Sequence, residues 1–113
     1  MIDGKESRIV LVTCGSITEA RRIAKKVVNK RLAACANIML GPVESIYWWK
    51  GKVQSGREVL MLLKTSEKRL DELEKEVLRQ HSYDVPEFIA LPIGAGTREY
   101  LAWLQESLKP TAR

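Results

Sequence analysis

Two apolar runs leave no room for a solvated face and constrain the fold more than any other feature. They are Arg8-Ile9-Val10-Leu11-Val12-Thr13 and Val59-Leu60-Met61-Leu62-Leu63. Successive side chains of a strand point to opposite faces, so such runs belong to interior strands covered on both sides. After the first run, Ser16-Ile17-Thr18-Glu19 has the form of a capping box, and Ala20, Ile23, Ala24, Val27, Val28 and Leu32 recur at helical spacing. After the second, Ser66 is placed to cap a helix whose apolar face carries Leu70, Leu73, Val77 and Leu78. An Asp71–Lys75 pair supports that helix, which ends near His81. A strand pattern from Ala36 to Trp49, broken at Gly41-Pro42, turns back at Lys50-Gly51. Phe88 to Ile93 supplies a fourth strand, and Thr97 caps a last helix with Leu101, Leu104 and Leu108.

The order is therefore β-α-β-β-α-β with an added C-terminal helix. Right-handed crossovers make this a ferredoxin-like α+β sandwich with sheet order 4-1-3-2 and both helices on one face. Pro42 and Pro92 then fall on the two edge strands, where a missing ladder donor is tolerated. The 113 residues make one domain with a core over about 8–108, and the first seven and last four residues are expected to fray. Free sheet edges and the long second strand predict self-association.

No apolar run nears the roughly 18 residues of a bilayer span. The start, Met1-Ile2-Asp3-Gly4-Lys5-Glu6, has no signal-peptide stretch, and two cysteines suit a reducing compartment. The chain reads as soluble and cytoplasmic, without membrane insertion. Its net charge of +5 sits in one helix, where Arg21, Arg22, Lys25, Lys26, Lys30 and Arg31 face only Glu19. Such a run usually serves as a solvated face, and the aromatic pattern of RNA-binding ferredoxin-like domains is missing, so nucleic acid is not an expected partner. Phosphate-loop, nucleophile and metalloprotease signatures are also missing, which predicts a protein that is not an enzyme and has no obligatory cofactor.

The crossovers bring the end of strand one and the end of helix two to one rim, gathering Cys14, His81, Asp84 and Glu87. A thiolate with an imidazole suits copper or zinc. The same residues also read as a packed thiol and a histidine at a helix C-terminus. Cys35 belongs to the opposite end, beyond disulfide reach of Cys14, and reads as a core residue. In Tyr47-Trp48-Trp49 the first and third rings share a side; at least one side should meet another subunit, a ligand or the hairpin base.

Several segments resemble the CutA divalent-cation tolerance family, in family order and spacing from about Ile9 to Leu108. They are Arg31 to Ile38, Ser45 to Lys52, Glu58-Val59-Leu60, Lys64-Thr65, His81 to Glu87 and Tyr100 to Leu104. The resemblance implies a tight homotrimer of ferredoxin-like subunits, related in architecture to the PII signal proteins. It implies an intersubunit cleft lined by Trp49, Glu58, Lys64, His81, Tyr83 and Glu87, with His81 matching a proposed copper ligand. Ser82 stands where the family usually has proline.

Three readings follow. The leading one is a trimeric metal-response protein that binds copper or a similar divalent cation at His81 with Cys14. The second is a PII-like sensor whose cleft takes a small anion, with Lys64 as the positive group. The third is a structural assembly module without metal function.

Overall fold

The computed structural model describes residues 1–110. One strand, β5 (Lys52–Ser66), organises the sheet. Its second half lies between β2 (Ser7–Cys14) and β3 (Cys35–Ile38), and β6 (Ile89–Pro92) flanks β2 on the far side. All these pairings are antiparallel, and the spatial order β3-β5-β2-β6 is the 4-1-3-2 order expected from the crossovers. The first half of β5 pairs with β4 (Val43–Trp49) to form a long hairpin arm, tipped by Lys50 and Gly51 at positive φ. The expected second strand is thus two strands, β3 and β4. Gly41-Pro42 separates them, and both pair with the same β5.

The register puts Val10, Val12 and Cys14 on one face with Leu63, Met61 and Val59 as their partners. Helix α1 (Ile17–Asn29) covers that face with Ile23, Ala24 and Val27; α2 (Leu70–Gln80) covers it with Leu73 and Val77. These residues form the core cluster. On the opposite face Ile9, Leu11, Leu60 and Leu62 are only half-buried, and Ile89 and Leu91 are exposed. Helix α3 (Arg98–Ser107) reaches one end of this face, where Gln105 Nε2 donates to Ser7 Oγ at 3.0 Å. One chain therefore covers one face of its interior strands fully and the other in part.

Several local expectations change. The first seven residues are held rather than frayed: β1 (Ile2–Asp3) pairs with β7 (Ala95–Gly96). The expected fraying at the other end falls mostly on residues 111–113, outside the described ones. Ser66 precedes a 3-10 turn, Glu67–Arg69, and makes no side-chain cap bond. Leu78 is exposed, because α2 turns that position outward. Among the described residues Asp71 and Lys75 form no ion pair; Arg69–Glu72 and Arg79–Glu76 brace the helix instead. Cys35 shares a face with Lys64 and is half-buried, so it is not a core residue. Both cysteines are free, and their register partners, Val59 and Lys64, are five positions apart on β5. Among the described residues no helix is long and apolar enough to cross a membrane.

The basic helix is also less free than its charge suggests. Arg22 donates to the Gln80 carbonyl at 2.8 Å, Lys30 to Glu76 Oε1 at 2.7 Å and Arg31 to the Ser107 carbonyl at 2.9 Å. Half of the cationic run thus ties this helix and its C-terminal end to α2 and α3, while Arg22 and Lys30 stay exposed as part of the expected solvated face.

Candidate functional site

The site is built where β2 ends and α1 begins. Ser16 caps α1 by accepting the Glu19 N–H at 3.1 Å, the first half of the expected capping box. The reciprocal half is replaced. The Glu19 carboxylate accepts the Ser82 N–H at 2.8 Å, a bond that proline at this position could not offer. Glu19 therefore faces the segment that follows α2 and lies beside Cys14 and His81. Possible donor atoms of these three residues all lie within 4.8 Å of one another.

His81 is fixed from both sides of its ring. Nε2 lies 2.8 Å from the Thr13 carbonyl, and Nδ1 lies 3.1 Å from the Tyr83 nitrogen. A carbonyl only accepts and a backbone N–H only donates, so the proton is on Nε2 and the lone pair is on Nδ1. The Tyr83 ring leans on the imidazole with centroids 4.7 Å apart, and its hydroxyl donates to Glu58 Oε2 at 2.9 Å. Among the described residues no buried side-chain nitrogen or oxygen lacks a partner. The cluster is thus a satisfied knot, and an ion enters it only by exchange.

The electrostatics follow from this crowding. Burial pushes the Cys14 thiol up to about 11, with the Glu19 and Glu58 charges adding to the rise and Arg22 opposing it. Burial also pushes the Tyr83 phenol up, reinforced by its bond to Glu58. For Glu19, burial pulls upward but is outweighed. Hydrogen bonds from Ser82, the electrostatic pull of the His81 ring and a Gly15 backbone bond hold the carboxyl below its ordinary value. Glu19 is a ready anion, whereas Cys14 is a thiol that must lose its proton before it can ligate.

Beside the knot a cleft of ≈ 680 Å³ opens between the hairpin arm and the loop after α2. Its wall includes Tyr47, Trp49, Glu58, Tyr83, Asp84 and Glu87, with three carboxylates and, among the described residues, no Lys or Arg. Trp49, Glu58, Tyr83 and Glu87 from the set the family resemblance implied therefore share one cleft, and His81 stands behind Tyr83. Lys64 lies elsewhere: six positions beyond Glu58 on β5, roughly 20 Å along the strand, its Nζ is 5.7 Å from the Tyr100 ring. Asp84 lines the cleft rather than joining Cys14 and His81. The group that sequence reasoning missed is Glu19, which the capping motif had already claimed; the signal was Ser82 in place of a proline.

Comparisons with known proteins agree with this architecture. The CutA1 divalent ion tolerance protein family matches residues 8–107. The chain is 48% identical to the divalent-cation tolerance protein CutA of Thermus thermophilus over 99 residues, covering 88% of this chain and 95% of that one. It is 47% identical to the chloroplastic protein CutA 1 of Oryza sativa over 103 residues, 91% of this chain but only 58% of the rice protein. The solved structure of the periplasmic divalent cation tolerance protein CutA from Archaeoglobus fulgidus superimposes with a TM-score of 0.87 at 39% identity, covering 91% of this chain and 99% of that one. Their names point to different compartments, and none transfers here. With the family matched along nearly the whole described length, this chain belongs to the CutA1 divalent ion tolerance family.

Proposed function

We propose that this chain binds copper or a chemically similar divalent cation at Cys14, His81 and Glu19, and that it works as a homotrimer in cation tolerance. The observation that carries this reading is the sulfur, nitrogen and oxygen donors gathered within 4.8 Å. A thiolate with an imidazole selects copper or zinc over the hard cations that prefer all-oxygen sites. His81 Nε2–H on the Thr13 carbonyl is the outer-shell bond that orients ligating histidines, with the lone pair left on the other nitrogen. The neighbouring carboxylates favour cations near the entrance. A small anion in the same cleft would face those carboxylates and would need a positive group from another copy, because Lys64 is remote within one chain.

Assembly is supported by the uncovered apolar surface. The second sheet face is only partly covered, and Ile46, Trp48 and Val53 stand 69%, 73% and 59% exposed on one side of the hairpin arm. Patches of this kind mark protein contacts. A ferredoxin-like trimer that buries them would also bring a neighbour's surface to the cleft, with Trp49 and the other cleft residues at the junction. Two unbridged cysteines suit a reducing cytoplasm.

Titration calorimetry of reduced protein with Zn²⁺, which is redox-inert and accepts S, N and O ligands, should give saturable binding of one ion per chain. Sedimentation velocity should give a trimer that Trp48→Glu drives toward smaller species. No measurable heat would remove the cation site, and a monomer at micromolar concentration would remove the assembly.

A further inference from the structure

We propose that Tyr83 couples cation capture to the cleft, so that occupying the His81 lone pair releases the Tyr83–Glu58 clasp; this rests on the cation reading above. Lone pairs on the imidazole limit how it can ligate. His81 has one ring proton and one ring lone pair, and the Thr13 carbonyl at 2.8 Å holds the proton on Nε2. Thr13 is paired with Leu60 of β5, just past the last β2–β6 pair at Leu11, so this bond hangs from a residue held in the sheet ladder. The reverse tautomer would aim a lone pair at a carbonyl oxygen. Nδ1 is therefore the only atom through which His81 can ligate, and the Tyr83 N–H occupies it at 3.1 Å.

The next donor is held but not blocked, because a carboxylate keeps lone pairs beyond the one an amide takes. Glu19 Oε2 is taken by the Ser82 N–H at 2.8 Å. Two consecutive backbone amides thus contact two of the three ligand groups, and one short movement of residues 82–83 frees the His81 lone pair. The anchor behind them is separate. Arg22 donates to the Gln80 carbonyl, holding the end of α2 while the following residues swing.

That movement carries the Tyr83 side chain with it. Its phenol donates to Glu58 Oε2 at 2.9 Å beside the cleft, so unplugging His81 frees Glu58 and reshapes the cleft wall. The coupling is reciprocal: whatever weakens the clasp must strengthen cation binding by the same factor. Removing a hydrogen bond of about average strength makes that factor roughly fivefold.

Nitrogen NMR tests this directly, because His81 is the only histidine in the sequence and its ring signals need no assignment. Zn²⁺ added to the reduced full chain should move the Nδ1 resonance while Nε2 keeps its proton. The Ser82 and Tyr83 amide signals should shift, and their hydrogen exchange should accelerate. Tyr83→Phe should raise zinc affinity about fivefold. Ligation through Nε2, unchanged Ser82 and Tyr83 amides in a zinc-loaded sample, or unaltered affinity in Tyr83→Phe would each overturn the coupling and leave the cation site standing. Absence of zinc binding in the parent chain would overturn both.

Discussion

His81→Ala is expected to weaken Zn²⁺ or copper binding by on the order of 100-fold, because loss of an oriented histidine removes both a ligand and its supporting shell. The imidazole is the centre of the knot: it joins β2 through Thr13, the loop after α2 through Tyr83, and lies beside Cys14 and Glu19. Truncation also cuts the tether between β2 and the end of α2, so an effect on folding must be separated from an effect on ligation. His81→Gln provides that separation. Its amide nitrogen can still donate to the Thr13 carbonyl, but it offers no imidazole lone pair. Calorimetry should show both variants impaired, with circular dichroism unchanged in His81→Gln. Parent-like affinity in either variant would take His81 out of the site.

Glu76→Ala should cost about 2 kcal/mol of stability, the scale of lost hydrogen bonds to a charged group. Glu76 is a carboxylate on α2 that is only 4% exposed, yet fully partnered. It accepts from Lys30 Nζ of α1 at 2.7 Å, from Gln80 at 2.9 Å, and from Arg79. Those bonds, the Lys30 one first, outweigh burial and hold its carboxyl at about 2 rather than the ordinary 4.5. The folded value lies below the unfolded one, so the stabilisation is fully present above about 4.5 and is lost as pH falls toward 2. The cationic ends of Lys30 and Arg79 remain wet at 42% and 64% exposure, so removing Glu76 leaves no buried unpaired charge. Urea unfolding at fixed protein concentration should show the gap between parent and Glu76→Ala narrowing from pH 5 to pH 2.5. A gap independent of pH would contradict this account of the α1–α2 contact.

The sheet order was legible because it depends on apolar pattern and handedness, which act over whole segments. The two runs around Val10 and Met61 could only be interior strands, and Pro92 lies on the edge strand β6. The sequence also signalled that both faces of those strands needed cover. What it could not say is that one chain covers only the α1–α2 side fully, leaving Ile89 and Leu91 open on the other. Exposure of this kind depends on a partner rather than on local periodicity.

The site was legible to the level of topology and no further. Placing Cys14 and His81 at one rim required only strand and helix directions. Recruiting Glu19 required knowing that its carboxylate abandons the capping box for the Ser82 amide, a choice made by a residue 63 positions away. Lys64 was grouped with an intersubunit cleft by family resemblance; within one chain the register places it far along β5 from Glu58, so only a second copy could bring it there. Ligand sets depend on side-chain rotamers and single backbone bonds, and neither has a periodic signature.

X-ray absorption at the zinc edge of the reduced, loaded protein most directly tests the claim that Cys14, Glu19 and His81 act together. The account predicts one sulfur neighbour at about 2.3 Å, with the remaining shell of nitrogen and oxygen at about 2.0–2.2 Å. The sulfur should be lost in Cys14→Ser, and the imidazole scattering should be lost in His81→Gln. A shell of oxygen and nitrogen alone in the parent protein would contradict it and move cation binding to the carboxylates of the cleft.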